Sequence, residues 1–256
     1  MINKYALNKI FLIESIPINE PQTGEEIFKD SIKPYNDYYN AKIQLEFKKV
    51  TNKEDFLNAV NTIYESVNSN DKIILHIEAH GSSDKKKLVL SNDDIISWQE
   101  LTEILTPINS KLKNNLHLFN VSCFGNYISQ LIDLTKTAPF RSFIGSKYEI
   151  YPHEIISYYT SLYDRILKLK DPYKAVHEIA KIDIVEKFFM KDLEFLLTGI
   201  TYGHLQLFFQ SGSLSIIKQM FDSRLNINID INEMQKHEDP KIYIIDLFRK
   251  RFFYWD

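Results

Sequence analysis

Cysteine is nearly absent from this chain: Cys123 is the single one in 256 residues. One thiol excludes an internal disulfide framework and any multi-cysteine zinc site, so Cys123 serves either packing or chemistry. Glycine and proline are sparse too, at 7 and 8 residues, which leaves no collagen-like tract and no flexible Gly/Ser linker. Nothing repeats at the ~20 to 50-residue periods of solenoids and propellers. No apolar run reaches the ~18 residues that a membrane-spanning helix needs. The start, Met1-Ile2-Asn3-Lys4, lacks a signal peptide's apolar core, so a cytoplasmic protein without membrane attachment is expected. An excess of one charge is missing as well. The 31 basic and 34 acidic residues are interspersed and leave a formal charge of -3, so nucleic acid is not an expected partner. Lys85-Lys86-Lys87 and Arg249-Lys250-Arg251 read as solvated faces.

What is present is a globular composition, 44% hydrophobic and 13% aromatic, enough to bury one sizeable core. Residues 9–14 form an apolar run and residues 43–49 alternate, which predicts two strands. Thr51 and Glu54 have capping-box spacing ahead of Phe56, Val60, Ile63 and Val67, predicting a helix over 53–67. Residues 72–79 are the next strand, ending at His80-Gly81, and Leu88–Leu90 a short one. Ser97 and Glu100 open a second capped helix, with Pro107 expected to kink or shorten it. The strand over 116–121 runs into Ser122-Cys123-Phe124-Gly125 and a helical pattern, the strand over 141–145 follows, and Pro152 and Pro172 open two further helices. Alternating strands and helices argue a mostly parallel sheet covered on both faces through residue 181. Residues 182–256 read as a mainly helical extension, with a helix over 185–197 and an edge strand over 204–209.

In open α/β sheets ligands bind beyond the carboxyl ends of the strands, and His80 and Cys123 each stand there, directly after an apolar run. Ends of neighbouring strands lie about 4.8 Å apart, so an imidazole and a thiol can meet over one substrate. A cysteine opening a helix beside an imidazole also gains thiolate character. The N–H groups of Gly81 and Cys123 could then hold an oxyanion. His76 and His117 fall inside strands, while His153, His177, His204 and His237 show no ligand spacing, so no metal is expected. Neither a G-x-S-x-G elbow, a P-loop nor a G-x-G-x-x-G occurs, which removes the common serine-hydrolase, NTPase and dinucleotide readings.

These residues resemble the caspase-like cysteine peptidases of clan CD, most closely the bacterial CHAT-domain branch, over about residues 70 to 181. Ile73–Gly81 looks like the family's strand ending in His-Gly, Leu88–Leu90 with Trp98–Leu101 like its hairpin and helix, and Leu116–Gly125 like its nucleophile strand. Ile144–Ile150 resembles the segment that lines the substrate cleft, and Tyr158-Tyr159 with Pro172, Ala175 and Val176 its closing helices. The caspase Gln-Ala-Cys-x-Gly pattern is absent, and the Asp that metacaspases place two residues before the nucleophile is Val121 here. The resemblance implies a caspase-like three-layer sandwich over residues 1–181 and a cysteine endopeptidase with Cys123 as nucleophile and His80 as base and acid. No cofactor is implied. Its substrate would be a protein or peptide, held against Val121, Tyr148 and Glu149. It further implies latency until an activating ligand or partner protein arrives, in bacterial antiviral defence or cell death. The alternatives are an inactive scaffold, or a small-nucleotide sensor on the same fold.

Overall fold

Apolar runs that cannot face water on either side become the inner strands of one sheet. The computed structural model describes residues 6–133, 136–179, 187–193 and 229–253. In them lie β1 (Lys9–Ser15), β2 (Gln44–Lys49), β3 (Ile73–Gly81), β4 (Lys87–Val89), β5 (Ile95–Ser97), β6 (Leu116–Val121), β7 (Ser142–Ser146) and β8 (Phe188–Asp192). The main order is β2-β1-β3-β6-β7-β8, while β4 and β5 make a hairpin on the end of β3. Strands β2 through β7 of that row run parallel, and β8 closes it antiparallel to β7.

The connections carry α1 (Thr23–Ile27), a π-helical turn (Phe28–Ile32), α2 (Lys33–Tyr38), α3 (Lys53–Ser66), α4 (Trp98–Lys111) and a 3-10 segment (Gly125–Leu131). After β7 come α5 (Pro152–Leu169) and α6 (Pro172–Ile179), then α7 (Ile231–Gln235) and α8 (Pro240–Phe253). One face of the sheet packs Ile27 and Phe28 with Tyr159, Leu162 and Ala175 of α5 and α6. The other packs Phe56 of α3, Leu101 of α4, Ile128 and Phe248 of α8. The result is an α/β protein with a mostly parallel mixed sheet between two helical layers. No helix among the described residues is long and apolar enough to cross a membrane.

Several local expectations are corrected. Asn52, not Thr51, caps α3: its side chain accepts the Asp55 N–H at 2.8 Å, while the Thr51 hydroxyl donates to the Asp55 carboxylate. Ser97 does cap α4, accepting the Glu100 N–H at 3.1 Å, and Pro107 sits within that helix without ending it. β3 runs on through His80 and Gly81, because β4 pairs with both. Within the helix expected over 185–197, Phe188–Asp192 instead form β8, whose pairing with β7 supplies the hydrogen bonds that a lone helical turn would have made; residues 185–186 and 194–197 lie outside the described residues. The edge strand expected over 204–209 and the domain limit at 181 lie outside the described residues.

Candidate active site

The strand order reverses at β1, which has β2 on one side and β3 on the other. Connections therefore leave β1 and β3 toward opposite sides, opening a crevice at their carboxyl ends. Glu78 and Val121 are register partners on β3 and β6, and His80 and Cys123 follow each by two residues, so both project at the same level. Gly81 lets the two strand ends close up, since a Cβ there would overlap the Cys123 carbonyl oxygen. Ser82 N–H donates to Lys87 C=O at 3.0 Å. Alternate residues of an antiparallel ladder face opposite sides, so Gly81 turns its N–H away from β4, toward the β6 side.

Cys123 stands on a sharp turn. Phe124 follows it with φ 61°, a left-handed conformation unusual outside glycine. Buried Asn120 holds that turn: its Nδ2 donates to Gly125 C=O at 3.0 Å, and Ser122 Oγ donates to its Oδ1 at 3.1 Å. Phe124 N–H donates to Tyr148 C=O at 3.2 Å, which ties the segment after β7 to the turn that carries Cys123. The helix that follows is 3-10, not α, so dipole support for a thiolate is small. Ile150 brackets the sulfur, its N–H donating to Cys123 Sγ at 3.5 Å and its carbonyl accepting from the thiol at 3.9 Å.

His80, Cys123, Val121, Glu78, Glu20 and Thr23 line one cleft of about 110 Å³, with Ile150 in its wall. His80 is 44% exposed and its Nε2 lies 2.9 Å from Glu20 Oε2. No hydrogen bond joins it to Cys123, and both residues line the same cleft. Val121 is buried in the cleft wall. The Tyr148 and Glu149 side chains do not line the cleft: the Tyr148 ring is exposed beside Phe189, and Glu149 is exposed while its carbonyl accepts from Lys187 Nζ. It is the backbone of this segment that meets the site. Among the described residues no cluster of three or more His, Cys, Asp or Glu is placed to hold a metal ion.

No protein-family model matches this chain, and no curated protein matches it.

Beneath the cleft lies a buried polar cluster to which no sequence motif points. Glu78 is 1% exposed; its Oε1 accepts the Thr23 hydroxyl and its Oε2 lies 3.4 Å from His76 Nε2. Burial pushes the Glu78 carboxyl up to about 8, against the opposing pull of His80. Burial also takes the His76 imidazole down to about 3. At neutral pH the two are thus an uncharged hydrogen-bonding pair, with His76 Nδ1 2.9 Å from Tyr163 Oη. Glu14, raised first by burial and also by Glu78, accepts the Gly24 N–H at 2.8 Å and the Glu25 N–H at 3.1 Å. A Cβ on Gly24 would lie 2.9 Å from Glu78 Oε2 and 3.0 Å from Glu14 Oε1, so this glycine lets α1 sit directly on both carboxyls. The signal in the sequence was His76 and Glu78 interrupting an otherwise apolar strand.

Chemically, the cleft offers a nucleophile candidate with a backbone N–H on its sulfur, an imidazole in the same cleft, and an apolar wall backed by an uncharged carboxyl. That set suits acyl transfer from a carbonyl substrate.

Proposed function

We propose that this protein is a caspase-like cysteine endopeptidase that acts in the cytoplasm on a protein or peptide substrate. The reading rests on one observation above others: the chain's single thiol and an imidazole converge on one cleft from the adjacent carboxyl ends of β3 and β6. Cys123 Sγ attacks the scissile carbonyl carbon as its proton passes to His80, and the C–S bond forms as the carbonyl oxygen becomes an oxyanion. The N–H groups of Gly81 and Cys123 are the donors for that charge. His80 then returns the proton to the departing amine as the C–N bond breaks, and a water activated by the same imidazole releases the acyl group.

The test is cleavage of a peptide library by wild type, Cys123→Ala and His80→Ala, read by mass spectrometry. Wild type is expected to cut, and each variant to lose several orders of magnitude in rate with little added loss in the double variant. Undiminished cutting by either single variant removes the assignment. A wild type that cuts nothing, with Cys123 inert to iodoacetamide, favours a scaffold instead.

A further inference from the structure

Glu20 belongs to no motif that the sequence offers. It lies in the loop between β1 and α1, in a closed turn where its N–H donates to Pro17 C=O at 2.9 Å. Gln22 Nε2 pins the turn by donating to the carbonyls of Pro17 and Glu20, each at 2.8 Å. From this support the Glu20 carboxylate reaches across the crevice to His80, Oε2 to Nε2 at 2.9 Å. The reversal of strand order at β1 makes the contact possible, since the loop leaving β1 faces the end of β3 there. Both side chains line the cleft that holds Cys123.

We infer that Glu20 is the positioning residue of this site: it accepts the Nε2–H of His80, fixes the ring's orientation and tautomer, and leaves Nδ1 to exchange protons in the cleft. The inference deepens the peptidase reading and rests on it for its catalytic meaning. As an ion pair between half-exposed groups the contact adds little to stability. Its worth lies in choosing a nitrogen. A neutral imidazole carries one proton, and a ring free to place it on either nitrogen spends part of its time without a base toward the thiol. A carboxylate held by a pinned turn removes that choice without an ordering cost at the moment of reaction.

Glu20→Ala and Glu20→Gln test this, with the His80 ring read by 15N NMR at a pH high enough to remove the imidazolium proton, and kcat and KM measured separately. Wild type is expected to carry the ring proton on Nε2, and Glu20→Ala to show a mixture of tautomers. In Glu20→Ala kcat is expected to fall on the order of 10- to 100-fold with KM unchanged. Glu20→Gln, whose amide oxygen still accepts, is expected to recover the Nε2 tautomer and most of the rate. An identical tautomer ratio in wild type and Glu20→Ala overturns the inference, as does an unchanged kcat. A wild type inert toward every peptide overturns the peptidase reading alone, and the ring's 15N shifts then decide the role of Glu20 without any turnover.

Discussion

Glu78 is where burial and charge meet most sharply in this protein, a carboxyl at the base of the cleft with almost no contact to water. Its folded value near 8 stands above the usual 4.5. Between those limits the folded chain keeps a proton that the unfolded chain has already lost, so stability falls as pH rises through that window. The contribution is complete below about 4.5 and gone above about 8. Glu78→Gln removes the titration while keeping the shape and an acceptor for Thr23. The stability of that variant relative to wild type is expected to grow from pH 5 to pH 8 and then level off, by a few kcal/mol in total. Urea midpoints across pH 5 to 9 measure it. Parallel curves for the two proteins would show that Glu78 is ionised in the fold. Glu14 is raised in part by Glu78, so its own upward shift shrinks in the variant and changes the difference in the same direction.

At the scale of elements, the α3 cap separates what spacing can say from what geometry decides. Thr51 and Asn52 are both good capping residues, and a pattern of side-chain types does not choose between neighbours. The fold chose Asn52, whose backbone is extended at φ -135° with its oxygen over Asp55 N–H. Asn52→Ala is expected to cost about 1 kcal/mol and Thr51→Ala a few tenths, read from chemical denaturation; equal losses would return the cap to Thr51. The same limit applied elsewhere. β1, β3, β6 and β7 were legible because strands buried on both faces are predominantly apolar runs, and α3 to α6 because their apolar residues recur at helical spacing. β8 was not, since Phe-Phe-Met-Lys-Asp is too short to separate a strand from a helical turn without its partner. In the site, His80 and Cys123 were visible as residues that end apolar strands. Glu20 and Thr23 were not, because their roles arise from a loop meeting a strand far along the chain, which no local pattern encodes.

For the molecule as a whole, the described segments after residue 181, residues 187–193 and 229–253, pack onto the same core. β8 covers the edge of β7 from Ser142 to Ser146. Ile244, Ile245, Phe248 and Phe252 of α8 are buried in the cluster that holds Phe56 and Leu101, and Phe252 C=O accepts the Ala138 N–H at 3.0 Å. A chain stopped at residue 181 would expose both an unpaired strand edge and an apolar face. It is expected to aggregate, or to unfold without a cooperative transition, in size-exclusion chromatography and urea titration. A truncated chain as soluble and as stable as the full one would show that the first 181 residues fold unaided.

The place of β1 in the sheet has a consequence for how the chain is born. This strand precedes the other described strands in the chain yet lies inside the sheet, and its partner β3 comes only after β2 and α3, Lys9 pairing with Ile73. On the ribosome the apolar run Ile10–Ile13 must therefore wait, with one edge open, while most of the first half of the chain emerges. Each later strand then adds to one already made, β6 to β3 and β7 to β6, but these pairings are long-range and mostly parallel, which places the sheet among slow folders. During that interval the nascent chain, more than the finished protein, is what a chaperone would need to shelter.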